Sequence, residues 1–275
     1  MNDKLIIIGE NSRLTKSLKS IYSGNIFIVK KKLYVNWNSE NSFLNFLDSF
    51  VINENDSILI NKAIINPNFN LREINKWNFH FQKNIIKALE RKKIKNRVYT
   101  TGSIFEKTNI ENKYLNSKRN LSNYILQTDF NSVRPCHLRF HTLFGIDSPS
   151  ENMFLGQIFN SIKKKTTFKM SHGNQLRQYH HYNEVSKHLL NVFSDSKSNN
   201  KIIEITGREW VKLIDIARSV FNYFDCDNLL KPGKIKSSNE EITDIKDTVL
   251  STGNYSFSPA LQKINNYLEQ LLNEK

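Results

Sequence analysis

The sequence predicts an α/β protein built on a parallel, doubly wound sheet. Short apolar runs of strand length alternate with amphipathic helical segments through the first half of the chain, and the turn after the first run begins with Gly9. Strands and helices alternating at this pitch favour parallel pairing through helical crossovers. Ligands of such sheets bind beyond the carboxyl ends of the strands.

In order, residues 4–8 form a strand, 9–12 a turn and 13–22 a helix. A second strand covers 25–29. Residues 42–51 place Phe43, Leu44, Phe46, Leu47 and Phe50 at helical spacing. A third strand (56–60), a long helix (75–92), a fourth strand (97–101), a helix (114–127) and a fifth strand (132–140) follow. Beyond Gly145 the rhythm changes. A loop leads into a helix over 153–163, and 166–181 is polar and partly extended. Residues 184–193 form a helix, 194–200 a Ser/Asn/Lys loop and 201–205 a strand. Helices over 209–224 and 260–272 flank a polar stretch, 226–249. The expected division is a dinucleotide-binding domain of residues 1–145 with about 184–206, and a smaller C-terminal substrate-binding lobe of 146–183 and 207–275.

Composition narrows the function classes. The chain has 275 residues and a net charge of +14. That charge reads either as an anionic partner or as drift in a Lys/Asn/Ile-rich chain. Lysines are spread thinly, and no helix-turn-helix, zinc-finger or aromatic RNA-binding signature joins the runs Lys30-Lys31-Lys32 and Lys163-Lys164-Lys165. No nucleic-acid partner is expected. No apolar run reaches membrane-spanning length, so no membrane partner is expected either. Cys136 and Cys226 give neither a disulfide framework nor a metal spacing, which suits a reducing cytoplasm. Adjacent His180 and His181 point opposite ways on an extended segment, so no metal site is expected.

Three local features carry chemistry. Tyr114 and Lys118 lie four apart, on one face of a helix. A lysine ammonium one turn away favours the phenolate and makes the tyrosine a better acid-base group. Alone, the pair reads more readily as a solvated helix face than as a catalytic pair. Gly9-x-x-Ser12-x-x-Thr15 lies between the first strand and the first helix, where a dinucleotide pyrophosphate meets a helix N-terminus. It reads as a nucleotide-binding turn or as an ordinary tight turn. The second strand ends in Lys30-Lys31-Lys32, where NAD-binding sheets often carry an acid for the ribose. With Arg13 these lysines could pair a 2′-phosphate; they could also be a solvated run.

Taken in order, these segments resemble the extended short-chain dehydrogenase/reductases: the nucleotide-sugar epimerases, dehydratases and ketoreductases. Residues 5–18 are similar to the family's first strand, glycine loop and helix. Asn78-Phe-His-Phe-Gln-Lys-Asn-Ile-Ile-Lys-Ala-Leu89 resembles Asn-Val-x-Gly-Thr-x-Asn-Leu-Leu-Glu-Ala-Ala. Val98-Tyr-Thr-Thr-Gly-Ser-Ile-Phe105 resembles Val-Tyr-x-Ser-Ser-x-x-Val-Tyr, and Tyr114-x-x-x-Lys118 follows. Leu138-Arg-Phe-His-Thr-Leu-Phe-Gly145, Arg177-Gln-Tyr-His-His-Tyr-Asn-Glu-Val185 and Ile205-Thr-Gly207 complete the series.

The resemblance implies a Rossmann-type sheet and these roles. Thr101 hydrogen-bonds the reacting sugar oxygen, Tyr114 is the acid-base residue, and Lys118 lowers its pKa and holds the nicotinamide ribose. Gly9, Ser12, Arg13 and Leu14 lie against the pyrophosphate; Lys30, Asn61, Lys62, Ala63 and Asn78, with Tyr114 and Lys118, complete the cofactor site. Ser103, His141 and Arg177 face the substrate, Arg177 gripping its pyrophosphate. It also implies a homodimer through a four-helix interface of the 75–92 and 114–127 helices; Phe79, Phe81, Ile85 and Leu121 serve that interface or the core.

Departures from the family narrow the reaction. The dehydratases follow the catalytic Thr with Asp-Glu, and this chain has Gly102-Ser103. The GDP-fucose-synthase-like enzymes have a Cys there. The resulting expectation is NADPH-dependent reduction of the 4-keto group of a nucleotide-linked deoxysugar, in surface-polysaccharide sugar biosynthesis. NADP(H) is favoured and NAD(H) possible. A nucleotide-sugar 4-epimerase using bound NAD and a non-catalytic nucleotide-binding relative are the alternatives.

Overall fold

The computed structural model describes residues 4–37, 39–66, 68–195, 199, 201–236 and 255–274. Parts of the expected loop at 194–200 and of the polar stretch at 226–249 lie outside these. In chain order, the elements begin with β1 (Lys4–Ile8), α1 (Arg13–Ile21), β2 (Asn25–Val29), α2 (Lys31–Tyr34), α3 (Glu40–Asp48) and β3 (Ser57–Ile60). Next come α4 (Leu71–Asn75), a π-helical turn (Lys76–His80), α5 (Phe81–Arg91), β4 (Arg97–Ser103), a 3-10 turn (Ile104–Lys107), α6 (Lys113–Gln127) and β5 (Arg134–Phe140). Then β6 (Thr142–Phe144), α7 (Phe154–Lys164), β7 (Phe168–Lys169), β8 (Leu176–Arg177), β9 (Tyr179–His181), α8 (Tyr182–Ser194) and β10 (Ile202–Ile205) follow. The last are β11 (Val211–Lys212), α9 (Leu213–Tyr223), β12 (Leu230–Lys231) and α10 (Ala260–Asn273).

Two compact units divide the chain: Met1–Phe140 with Ser186–Ile205, and His141–Val185 with Thr206–Lys275. The first is built on a parallel sheet of six strands ordered β10-β5-β4-β3-β1-β2. Leu5, Ile6, Ile7 and Ile8 are all buried, as a strand covered on both faces requires. The chain leaves β1 on one side to form β2 and returns on the other to form β3. That reversal puts a topological switch point at the carboxyl ends of β1 and β3.

One side of the sheet is packed by α3, α5 and α6 around Phe43, Leu47, Ile85, Leu89, Leu121 and Ile125. Of the residues open to core or interface, Phe81, Ile85 and Leu121 are buried in this core, and Phe79 packs half-buried against it. The long helix of the sequence reading is interrupted at Lys76–His80 by the π turn. Lys31 and Lys32, read as part of a charge run, begin a one-turn helix that buries Tyr34.

The second unit packs β6–β9 and β11–β12 in two-stranded ladders with α7, α9 and α10 around Phe159, Ile216, Val220, Phe221 and Ile264. The helix expected from residue 209 begins only at Leu213. Val211 and Lys212 instead pair antiparallel with Arg177 and Leu176.

Candidate active site

The turn after β1 keeps its shape with one glycine. Gly9 has φ +141°, and a Cβ there would meet the Asn61 carbonyl oxygen at 2.6 Å. That combination leaves glycine as the residue that fits. Ser12 caps α1, its Oγ accepting from Leu14 N at 3.2 Å and from Asn61 Nδ2 at 2.7 Å. Thr15 is buried and donates its hydroxyl to Gly9 O at 2.7 Å. Both extra side chains are thus folded into the turn, leaving its backbone at the switch point. Asn61 closes it from β3, its N–H donating to Ile8 O at 2.7 Å. Leu14 is buried in the first helix, and Arg13 is its first residue.

Past β2, the Lys30 ammonium donates to Glu10 Oε1 at 2.9 Å. The Lys31 N–H donates to the other oxygen of the same carboxylate, also at 2.9 Å. Lys30 is therefore engaged by the residue that follows Gly9. The Lys31 N–H and the Lys30 ammonium hold the Glu10 carboxyl below its usual range.

The loop after β3 carries Lys62 and Ala63. Burial first, and the nearby Lys31 second, lower the pKa of Lys62. Its ammonium lies 5.1 Å from the centre of the Trp77 ring. Asn78, on the π turn and fully buried, accepts from Ile64 N at 2.7 Å and donates to Ile64 O at 3.0 Å and Ser117 Oγ at 3.1 Å. Its amide is spent within the protein, so Asn78 shapes the 62–64 loop and ties it to α6.

Thr101 and Lys118 meet directly. Asn112 caps α6 by accepting from Tyr114 N at 2.8 Å, which fixes where the helix starts. One turn in, Lys118 is wholly buried and donates its ammonium to the Thr101 carbonyl at 2.6 Å. Its Nζ lies 5.9 Å from the centre of the Tyr114 ring. Burial lowers the Lys118 pKa to about 8, with Glu106 opposing the shift. Tyr114 is half-buried, whereas the lysine one turn on is wholly buried.

A cluster that the sequence reading missed lies behind this pair. Glu106 is buried and accepts from Ser103 N at 2.6 Å, His137 Nε2 at 3.1 Å and Arg139 Nε at 3.2 Å. Thr100 Oγ1 lies 2.7 Å from His137 Nδ1. Arg139 and Lys107 both reach Glu204. Burial alone would raise the Glu106 pKa; His137, the Ser103 N–H and Arg139 outweigh it and hold the carboxyl at about 2. A Cβ on Gly102 would fall 2.1 Å from His137 Nε2 and 2.2 Å from Glu106 Oε1. The pattern Ser103-x-x-Glu106 is a capping-box signature visible in the sequence; the approach of His137 is not.

The remaining site residues lie in the second unit. The Arg177 guanidinium donates to Leu176 O at 2.8 Å and Gln175 Oε1 at 3.1 Å. His141 is buried, its ring 5.2 Å from Trp210 and 5.7 Å from His180. His180 stacks on Phe257 at 3.7 Å, whereas His181 packs against Phe144. A cavity of about 420 Å³ opens beside His180, lined by Tyr179, Arg208, Glu209, Tyr255 and Phe257. Among the described residues no group of three or more His, Cys, Asp or Glu could hold a metal. None of their helices is long and apolar enough to cross a membrane.

No protein-family model matches the sequence, and no curated protein matches it either. Solved structures do match. A dTDP-4-dehydrorhamnose reductase from Clostridium acetobutylicum superposes with a TM-score of 0.74 at 14% identity, covering 98% of this chain and 99% of that one. RMD from Pseudomonas aeruginosa, complexed with NADPH, gives 0.74 at 10% identity, with 98% and 99% covered. MoeE5, in complex with UDP-glucose and NAD, gives 0.71 at 12% identity, with 98% and 100% covered. These similar structures are of the extended short-chain dehydrogenase/reductase type, and the chain carries their Rossmann-type fold.

Proposed function

We propose that this chain is an extended short-chain dehydrogenase/reductase that reduces the 4-keto group of a nucleotide-linked deoxysugar with NADPH. The observation that carries the reading is Lys118: buried, one turn from Tyr114, and hydrogen-bonded to the strand end that bears Thr101. The turn at Gly9, held by Asn61 at the switch point, supplies a place for the dinucleotide pyrophosphate. Ser12, Arg13 and Leu14 border it, with Lys30, Lys62 and Ala63 beyond.

A reduced nicotinamide bound there supplies the hydride. The chain's own residues do the rest. Tyr114 gives its phenolic proton to the carbonyl oxygen as the hydride reaches the carbon, and the product is the alcohol. The Thr101 hydroxyl orients that oxygen. The Lys118 ammonium stabilises the resulting phenolate until solvent reprotonates it. Water elimination has less support. The carboxylate that fills the space beside Gly102 is Glu106, which is held ionised and hydrogen-bonded and is therefore a poor proton donor.

In this reading the first unit binds NADP(H) and supplies Ser103 toward the sugar, and the second binds the nucleotide sugar, with Arg177 on its pyrophosphate and His141 toward the sugar. The protein acts in the cytoplasm, on a sugar destined for surface polysaccharide, as a homodimer joined through α5 and α6. The test is incubation with NADPH and dTDP-, GDP- or UDP-linked 4-keto-6-deoxysugars, following loss of reduced nicotinamide absorbance. Consumption that depends on the ketosugar is expected; none with any of them overturns the reading.

A further inference from the structure

Glu10 follows Gly9 in the turn after β1, yet its carboxylate is bound by the residues that follow the end of the neighbouring strand β2. Ile8 of β1 pairs with Val29 of β2, so the two strand ends lie side by side. From there Glu10 spans to the Lys30 ammonium and the Lys31 N–H, both at 2.9 Å. Lys30 lies 20 residues beyond Glu10. That is the spacing at which NAD-binding sheets carry an acid for the ribose 2′-hydroxyl at the end of the second strand. This chain has a lysine at that position and brings the acid in from the glycine turn.

The surroundings of Glu10 are otherwise those of an anion site. Lys31 is near enough to Lys62 to lower its pKa. Tyr34 turns toward Glu10, whose charge, after burial, helps to raise the tyrosine's pKa. Glu10 thus takes two donors that a phosphate would otherwise use.

We propose that Glu10 sets how far this chain prefers NADPH over NADH, by reducing a preference that Lys30 and the Lys31 N–H would otherwise make larger. Its carboxylate accepts from a free ribose 2′-hydroxyl, and it competes with a 2′-phosphate for Lys30 and the Lys31 N–H. The inference rests on the dinucleotide site proposed above. Glu10 is a specificity-determining residue in this account and has no part in the proton transfer.

The experiment is calorimetric titration of the full chain, as wild type and as Glu10→Gln, with NADPH and with NADH. Glutamine keeps the length and removes the charge at a half-buried position, so folding is expected to survive; circular dichroism checks this. Glu10→Gln should raise the NADPH-to-NADH affinity ratio by about tenfold, the scale of one charge-assisted hydrogen bond. Lys30→Met should lower that ratio, by weakening NADPH alone. If both dinucleotides bind and Glu10→Gln leaves their ratio unchanged, or tightens both equally, the assignment is wrong. If neither dinucleotide binds either protein, the site itself is wrong and the assignment falls with it.

Discussion

The ammonium of Lys118 donates to the carbonyl of Thr101 at 2.6 Å, with the lysine wholly buried. A charged group kept out of water is costly unless it is paired, and here the direct partner is a neutral carbonyl. The fall of its pKa from 10.5 to about 8 corresponds to roughly 3 kcal/mol against the charged form. Lys118→Met removes that cost and one hydrogen bond. The net expectation is a gain of about 1–2 kcal/mol at neutral pH, read as a higher melting temperature, with turnover lost. A lower melting temperature would contradict it.

The same burial fixes a pH dependence. The folded protein gives up the Lys118 proton near pH 8, while the unfolded chain keeps it to about 10.5. Between those values the unfolded state binds more protons, so this group makes the fold more stable as pH rises. In the proposed reaction activity runs the other way, because the ammonium form is the one that would support the Tyr114 phenolate. Turnover should fall above pH 8, and the Cε resonance of a carbon-labelled Lys118 should titrate with the same midpoint.

Glu106 has the opposite sign. Its folded pKa of about 2 lies below the ordinary carboxylate value of 4.5. Its contribution is therefore full above about pH 4.5 and is lost as pH falls toward 2. Glu106→Gln should destabilise the protein by on the order of 3 kcal/mol at pH 7. Chemical denaturation repeated at lower pH should show the gap between variant and wild type closing below about pH 4.

Gly9→Ala addresses the turn itself. The added methyl meets the Asn61 carbonyl at 2.6 Å, with the backbone at φ +141°. A loss of about 2 kcal/mol or more in a denaturant titration is expected. NADPH should also bind more weakly, because Asn61 is forced out of the turn that it closes.

Much of this was legible in the sequence. The continuous apolar runs gave β1 and β2 their observed bounds, Lys4–Ile8 and Asn25–Val29. β1, buried on both faces, has no polar face to blur its edges. Tyr114 and Lys118 were findable because helical spacing alone puts them together. What escaped was decided between segments. Glu106 and His137 are separated by 31 residues and meet only because β4 and β5 pair. Val211 left its helix for a strand because Arg177 pairs with it. Lys31 and Lys32 entered a helix because Tyr34 and Trp37 bury their rings against Phe81. Local propensity holds no record of such partners.

In the proposed reaction Tyr114 delivers the proton to a ketone reduced by hydride. The most direct test compares steady-state turnover of wild type and Tyr114→Phe, with NADPH and the ketosugar that the wild type consumes. The account predicts a fall in kcat of about a hundredfold or more, with NADPH affinity within about twofold of wild type. A Tyr114→Phe enzyme that turns over the ketosugar at the wild-type rate would contradict it.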